Sequence, residues 1–332
     1  MTLHTDPISH ALLDNWQRNF PLVSRPFQVI ARSIGITEQD VLKRLYQLKQ
    51  KGAITRLGAT CAPNTVAAST LAAVAAPDFM VSKVAEIINA EDGVNHSYLR
   101  ENDWNIWFVA TGPDRAHVSE TLNRISKRTG LRVLDLRLEQ PFNIDLGFSL
   151  DGAGGVPTPC VDIQSDRIIE GDRAIMEAMS QGLHICARPF ADMAGRLGLG
   201  EPVVLDRIKA LSDAGLFTRV GIIVRHRALG WRSNAMVVWK MPGERINAAG
   251  SALATLPGVT LCYQRRAEPD VWPFTLYNMI HARSRGEAEA VLTRARALPE
   301  LAGVEHQVLF SLQCFKQKGA LIKPKLEKGA AA

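Results

Sequence analysis

The sequence predicts an α+β chain built from two tandem copies of one unit, a winged helix-turn-helix followed by a βαββαβ ferredoxin-like domain. Three observations carry that prediction. The first is a repeat: "RPFQVIARSIGITEQDVLKRLYQLKQKGAITRLG" from Arg25 returns as "RPFADMAGRLGLGEPVVLDRIKALSDAGLFTRVG" from Arg188. At one constant offset the matches include Pro26/Pro189, Phe27/Phe190, Gly35/Gly198, Val41/Val204, Arg44/Arg207, Gly52/Gly215, Arg56/Arg219 and Gly58/Gly221, and an internal repeat constrains a fold more than any local pattern does. The second is helical spacing of Val41, Leu42, Leu45 and Leu48 with Gly52 as the stop, followed by "AITRLG" or "LFTRVG" as the first strand of a wing. The third is the alternation of strand and helix patterns after each such module, in the order βαββαβ.

Taken in order, residues 1–60 form winged helix-turn-helix 1. Residues 61–146 form the first ferredoxin-like domain, with strands near 68–76, 93–100, 104–111 and 131–138 and helices near 81–90 and 114–129. Residues 147–166, rich in Gly, Pro, Asp and Ser, read as a linker. Residues 167–225 form winged helix-turn-helix 2. Residues 226–320 form the second ferredoxin-like domain, with strands near 234–241, 258–265, 274–282 and 303–311 and helices near 243–255 and 285–297. Residues 321–332 are a flexible basic tail. Two such copies in one chain imply an intrachain pseudo-dimer; a further homodimer stays open.

The 332 residues suffice for several domains, and 46% hydrophobic with 22% charged is ordinary globular composition. The N-terminal stretch lacks a basic flank before an apolar core, so no secretory signal is expected. The run "AASTLAAVAAP" is too short to span a bilayer, and no membrane association is expected. Five cysteines without a C-x-x-C pair argue against a zinc site or a disulfide framework and predict a cytoplasmic, reduced protein. Net charge is +6, but the C-terminal "KQKGALIKPKLEKGAAA" supplies most of it, which leaves weak support for a phosphate-backbone binder.

Winged helices suggest DNA binding, and a transcription regulator is the alternative reading. The second helix of copy one sets Lys43, Arg44, Lys49 and Lys51 against Glu38 and Asp40; that of copy two sets Arg207 and Lys209 against Glu201, Asp206 and Asp213. Acids at the start of both helices face phosphates unfavourably, and copies this diverged cannot read equivalent half-sites. DNA is therefore not the expected partner.

The chemistry-bearing stretch is "GVNHSYLRENDWNIWF", residues 93–108. As a strand it places Val94, His96, Tyr98 and Arg100 on one face. Aligned on Gly93/Gly258, the second copy offers Val259, Leu261, Tyr263 and Arg265, with Arg266 adjoining. Arg56 and Arg219 follow the two recognition helices, and Lys316 and Lys318 flank the last strand. His226 and His281 receive no partner from the sequence.

A winged helix plus ferredoxin-like module resembles the Lrp/AsnC family of regulators. More narrowly, "FPLVSRPF…IA…IG", "NHSYLRENDWNIWF" and "GVTLCYQRRAEPDVWPFTLYNMIHA" resemble the two subunit types of siroheme decarboxylase, fused here over nearly the whole chain. The resemblance implies conversion of siroheme to 12,18-didecarboxysiroheme, by loss of two acetate carboxylates as CO2, in haem d1 or alternative haem biosynthesis. It implies siroheme and its decarboxylated products as partners, and no cofactor beyond the substrate's own iron tetrapyrrole. His96 is then iron ligand or proton donor, Tyr98 a supporting donor and Arg100 the carboxylate clamp. Trp104 and Trp107 are expected to wall the macrocycle, and Tyr263, Arg265, Arg266, Arg56 and Lys316 to supply substrate contacts. Leu261, where the second subunit type usually has histidine, implies one competent pocket centred on His96. A tetrapyrrole-sensing regulator would share these residues and differ in lacking turnover.

Overall fold

The computed structural model describes residues 6–144, 147, 150, 163–319 and 322. Most of the expected linker and nearly all of the expected tail lie outside them.

Helix α1 (Pro7–Asn15) opens at Asp6, whose carboxylate accepts the Ile8 and Ser9 amides. Helix α2 (Pro26–Ile34) begins at a proline and ends at Gly35, which takes the left-handed φ of 72° that glycine tolerates. Helix α3 (Glu38–Gln50) is capped by the Thr37 hydroxyl, and strand β1 (Ile54–Cys61) is the wing. Copy one continues with β2 (Ala68–Val74), α4 (Val81–Ala90), β3 (Val94–Arg100), β4 (Ile106–Gly112), α5 (Arg115–Thr129), β5 (Val133–Leu136) and β6 (Leu138–Asn143). Copy two runs α6 (Asp172–Gln181), α7 (Pro189–Leu197), α8 (Glu201–Asp213), β7 (Phe217–Val224), β8 (Ser233–Trp239), α9 (Ile246–Thr255), β9 (Val259–Arg265), β10 (Leu276–Ala282), α10 (Arg285–Arg296) and β11 (His306–Gln317). Every predicted helix and strand is present. Helices α1 and α6, and strand β6, were not predicted.

The chain divides into two compact bodies that do not follow the linear domain order. The first comprises Met1–Ala62, Glu139–Arg265 and Pro273–Phe310; the second comprises Pro63–Leu138, Arg266–Trp272 and Ser311–Ala332.

In the first body the two wings pair with each other. Strands β1 and β7 run antiparallel with Gly58 opposite Gly221, the same position of the repeat in both copies. Both glycines permit close backbone approach: a Cβ on Gly58 would lie 2.2 Å from the Met179 carbonyl oxygen of α6, and one on Gly221 would lie 2.2 Å from that of Gln17. The repeated arginine of the RPF motif latches each helix-turn-helix. Arg25 pairs with Glu38 at the start of α3, and Arg188 pairs with Glu201 at the start of α8. The sheet of this body runs β11–β8–β10–β9–β6. Helices α9 and α10 cover one face over a core that includes Trp239, Ile246, Leu253, Ile280 and Leu292.

In the second body the sheet runs β5–β2–β4–β3–β11, with α4 and α5 covering a core that includes Val74, Ile88, Ile106, Phe108 and Ile125. Each four-strand ferredoxin-like sheet thus gains a fifth strand on its β3 or β9 edge. Strand β6, from the end of copy one, borders β9, and the C-terminal part of β11 borders β3. Covering those edges removes rows of open backbone donors and acceptors.

Candidate active site

The residues predicted to carry chemistry meet on β3. Across the ladder, β4 pairs Val94 with Ala110 but His96 with Val109, so an extra residue is accommodated at Asn95. A bulge of this kind re-aims the side chains beyond it. Val94 lies in the core beneath α4 and α5, and Leu99 packs on the same core. Ser97 shares that side, where its hydroxyl donates to Asn89 Oδ1 of α4 at 2.6 Å. His96, Tyr98 and Arg100 therefore occupy the face away from the helices. Val94, expected beside them, does not, because the bulge turns it over.

His96 and Tyr98 are half-buried and Arg100 is 5% exposed. The Arg100 guanidinium carbon lies 5.4 Å from the Tyr98 ring centroid, within reach of a cation–π contact. Tyr98 stands between Trp107 of β4 and Cys314 of β11 in the ladder. The Trp107 indole donates to the Trp104 carbonyl at 2.5 Å, and its ring meets Trp272 with centroids 5.2 Å apart. Trp107 is 1% exposed and stands beside Tyr98 on the same face of the sheet, as its cross-strand partner. Trp104, half-buried, sits in the β3–β4 connection.

The second copy repeats the bulge: β10 pairs Leu261 with Met279 and Val259 with Ile280, which places the extra residue at Thr260. Arg265 lies over the Tyr263 ring at 4.5 Å, and Tyr263 stacks on Tyr277. The aromatic–arginine pair is thus kept, whereas Leu261 stands where His96 stands in copy one.

The first body holds a histidine on the neighbouring strand instead. The Asn234 amide donates to His281 Nε2 at 2.7 Å, His281 Nδ1 donates to the Thr260 hydroxyl at 2.7 Å, and that hydroxyl donates to the Met279 carbonyl. This chain fixes the His281 ring between Asn234 and Thr260. His226 lies 6.4 Å from His281, ring to ring. Burial first, then the nearby His281 and Arg219, hold its pKa well below the ordinary histidine value. The sequence assigned neither histidine a partner, because both fall outside the repeat matches. The available signal was the exchange of Asn95 for Thr260 at the bulge.

Two expected substrate contacts have other engagements, and a third is exposed. Lys316 donates to the Asn89 and Glu91 carbonyls at 2.7 and 2.9 Å, a cation satisfying the C-terminal end of α4. This lysine points to the helix side, across the ladder from Ser97, and so away from His96. Arg56 lies on the wing in the first body, donates to the Ala59 carbonyl at 3.3 Å and has its pKa lowered by burial. Arg266 is exposed, and its amide donates to the Arg137 carbonyl. Among the described residues no cluster of three or more His, Cys, Asp or Glu side chains is arranged to hold a metal ion. No helix among them is long and apolar enough to cross a membrane.

A family model described as "AsnC-like ligand binding domain" matches residues 66–142 and 228–316, and one described as "Siroheme decarboxylase NirDL-like HTH domain" matches 9–54 and 172–217. The siroheme decarboxylase NirDL subunit of Paracoccus denitrificans (strain Pd 1222) is 51% identical over 317 residues, covering 96% of this chain and 98% of that one. The chain belongs to the siroheme decarboxylase NirDL family. A crystal structure of the siroheme decarboxylase NirDL superposes with a TM-score of 0.67 at 25% identity, covering 94% of this chain and 93% of that one. A second NirDL structure, in co-complex with an iron-uroporphyrin III analogue, superposes with a TM-score of 0.66 at 25% identity, covering 95% and 94%. The NirDL relationship thus spans both copies of the repeat, as the resemblance read from the sequence requires.

Proposed function

We propose that this chain is a carboxy-lyase that converts siroheme to 12,18-didecarboxysiroheme. The observation that carries the reading is 51% identity to a siroheme decarboxylase NirDL subunit along 96% of the chain. The β3 face supports a site for it. A planar guanidinium such as that of Arg100 matches a carboxylate bidentately and would fix one acetate arm. Breaking the C–C bond releases CO2 and leaves its electron pair on the exocyclic carbon, where the conjugated macrocycle spreads it. One proton then completes the methyl group. An imidazole such as that of His96 can deliver that proton or ligate the substrate iron, and Tyr98 can support it through its hydroxyl. Because the substrate brings its own electron sink, the reaction needs no further cofactor.

The alternative, a tetrapyrrole-responsive DNA-binding regulator, draws little support from the recognition helices. Glu38 and Glu201, held by Arg25 and Arg188, place a carboxylate at the N-terminal end of α3 and α8, where a phosphate would otherwise be favoured.

The test is an anaerobic incubation of the purified chain with iron siroheme, followed by product mass and absorbance. Stepwise loss of two CO2, abolished in His96→Ala, is the expected result. Binding with a spectral shift and no mass change would overturn the enzymatic reading.

A further inference from the structure

The two ferredoxin-like hairpins close identically but differ in length. The Arg100 amide donates to the Asn105 carbonyl at 2.8 Å, and the Arg265 amide donates to the Thr275 carbonyl at 2.8 Å. Between these anchors copy one has "ENDW", whereas copy two has "RAEPDVWPF". The longer connection is ordered. Glu268 and Trp272 exchange backbone hydrogen bonds of 3.0 and 2.6 Å around the Pro269–Asp270 turn. One Glu268 carboxylate oxygen accepts from Arg132 at 2.6 Å, and the other accepts from the Asp135 amide at 3.1 Å. The segment Arg266–Trp272 therefore belongs to the second body, with β2 to β5, although it comes from copy two.

The latch delivers Trp272, only 2% exposed, against Trp107. Trp107 is the cross-strand partner of Tyr98, and Tyr98 carries the Arg100 guanidinium over its ring. Trp272, Trp107, Tyr98 and Arg100 thus form one contact series that ends on the proposed reactive face.

We propose that Trp272 is a positioning residue for the β3 site, and that Glu268, Arg132 and the Asp135 amide are the latch that holds it there. This inference rests on the assignment of tetrapyrrole chemistry to His96, Tyr98 and Arg100. Trp272 touches no substrate. It fixes Trp107, and through it the tilt of Tyr98 and the reach of Arg100 to a carboxylate. Copy two in this way contributes to the site of copy one, although its own strand lacks the histidine.

The experiment uses the full-length chain as wild type, Trp272→Phe, Trp272→Ala, Glu268→Gln and His96→Ala. Iron siroheme is titrated by absorbance for Kd, turnover is followed by product mass, and thermal unfolding is recorded alongside. Trp272→Ala is expected to lower kcat/KM by about tenfold to a hundredfold, the usual effect of a small misplacement of a reacting group. Trp272→Phe should restore most of the loss, and Glu268→Gln should fall between the two. Trp272→Ala and Glu268→Gln variants that keep wild-type Kd and kcat/KM overturn the proposal, even if they unfold at lower temperature. If Trp272→Ala does not fold, Glu268→Gln and Trp272→Phe decide the matter by the same constants. Wild-type turnover unaffected by His96→Ala would refute the placement of chemistry on β3; loss in His96→Ala with none in the Trp272 and Glu268 variants refutes only the positioning role.

Discussion

Gly58 lies directly opposite Gly221 in the wing sheet, and the two occupy the same position of the internal repeat. The local two-fold that relates the two wings therefore passes through a pair of glycines. Each is pressed by a backbone carbonyl at 2.2 Å from where a Cβ would stand. Gly58→Ala and Gly221→Ala should each destabilise the chain by about 2–3 kcal/mol through forced backbone displacement. Urea unfolding of the two variants provides the check, and an unchanged midpoint in both would count against the packing described.

The repeated arginines Arg44 and Arg207 offer a control within one molecule. Arg207 pairs with Asp172 at 2.7 Å, and the Asp172 side chain is 1% exposed; Arg44 pairs with Asp6 at 2.9 Å, with 49% exposure on the acid. Arg207→Ala strands a buried carboxylate and should cost about 3–5 kcal/mol. Arg44→Ala should cost less than about 1 kcal/mol. Chemical denaturation of both variants is expected to rank them in that order.

His226 makes stability depend on pH. Its folded pKa is depressed by burial and by the nearby His281 and Arg219, so below about pH 6.5 the unfolded chain binds a proton that the folded chain resists. Stability is complete above that value and falls as pH drops toward the lowered folded pKa. His226→Gln should flatten this part of the profile, measured as melting temperature from pH 7.5 to 5.5.

Restoring the missing histidine should not create a second site. Leu261 pairs across the ladder with buried Met279, so Leu261→His places a polar ring against an apolar neighbour. A loss of about 1–3 kcal/mol is expected from the poorly satisfied group. Product mass per turnover should show no gain in rate, and a doubled rate would reverse the conclusion.

The repeat made the fold legible, because equivalent residues such as Gly52/Gly215 and Val41/Val204 mark equivalent local structure. The face of His96, Tyr98 and Arg100 was also legible, since strand alternation is local. What alternation alone could not place was the bulge at Asn95, which turns Val94 to the core. Lys316, expected as a substrate contact beside the last strand, instead meets the Asn89 and Glu91 carbonyls at the end of α4, a long-range contact that no local pattern encodes. The pairing of β1 with β7, the strand added by β6 and the seating of Trp272 on Trp107 are non-local in the same way. His281 received no partner from the sequence because its partners, Thr260 and Asn234, lie on two other strands.

Strand β11 has a temporal consequence. Its C-terminal part completes the ladder beside β3, pairing Gln317 with His96 and Cys314 with Tyr98, while Lys316 reaches Asn89 across 227 positions of sequence. A ribosome must therefore make almost all of the described chain before the edge beside His96 can close. Until then β3 exposes an open border to any passing strand, and contacts this distant in sequence form slowly. The proposed reactive face should be among the last parts of the molecule to mature, and the slowest refolding phase should coincide with the return of siroheme binding.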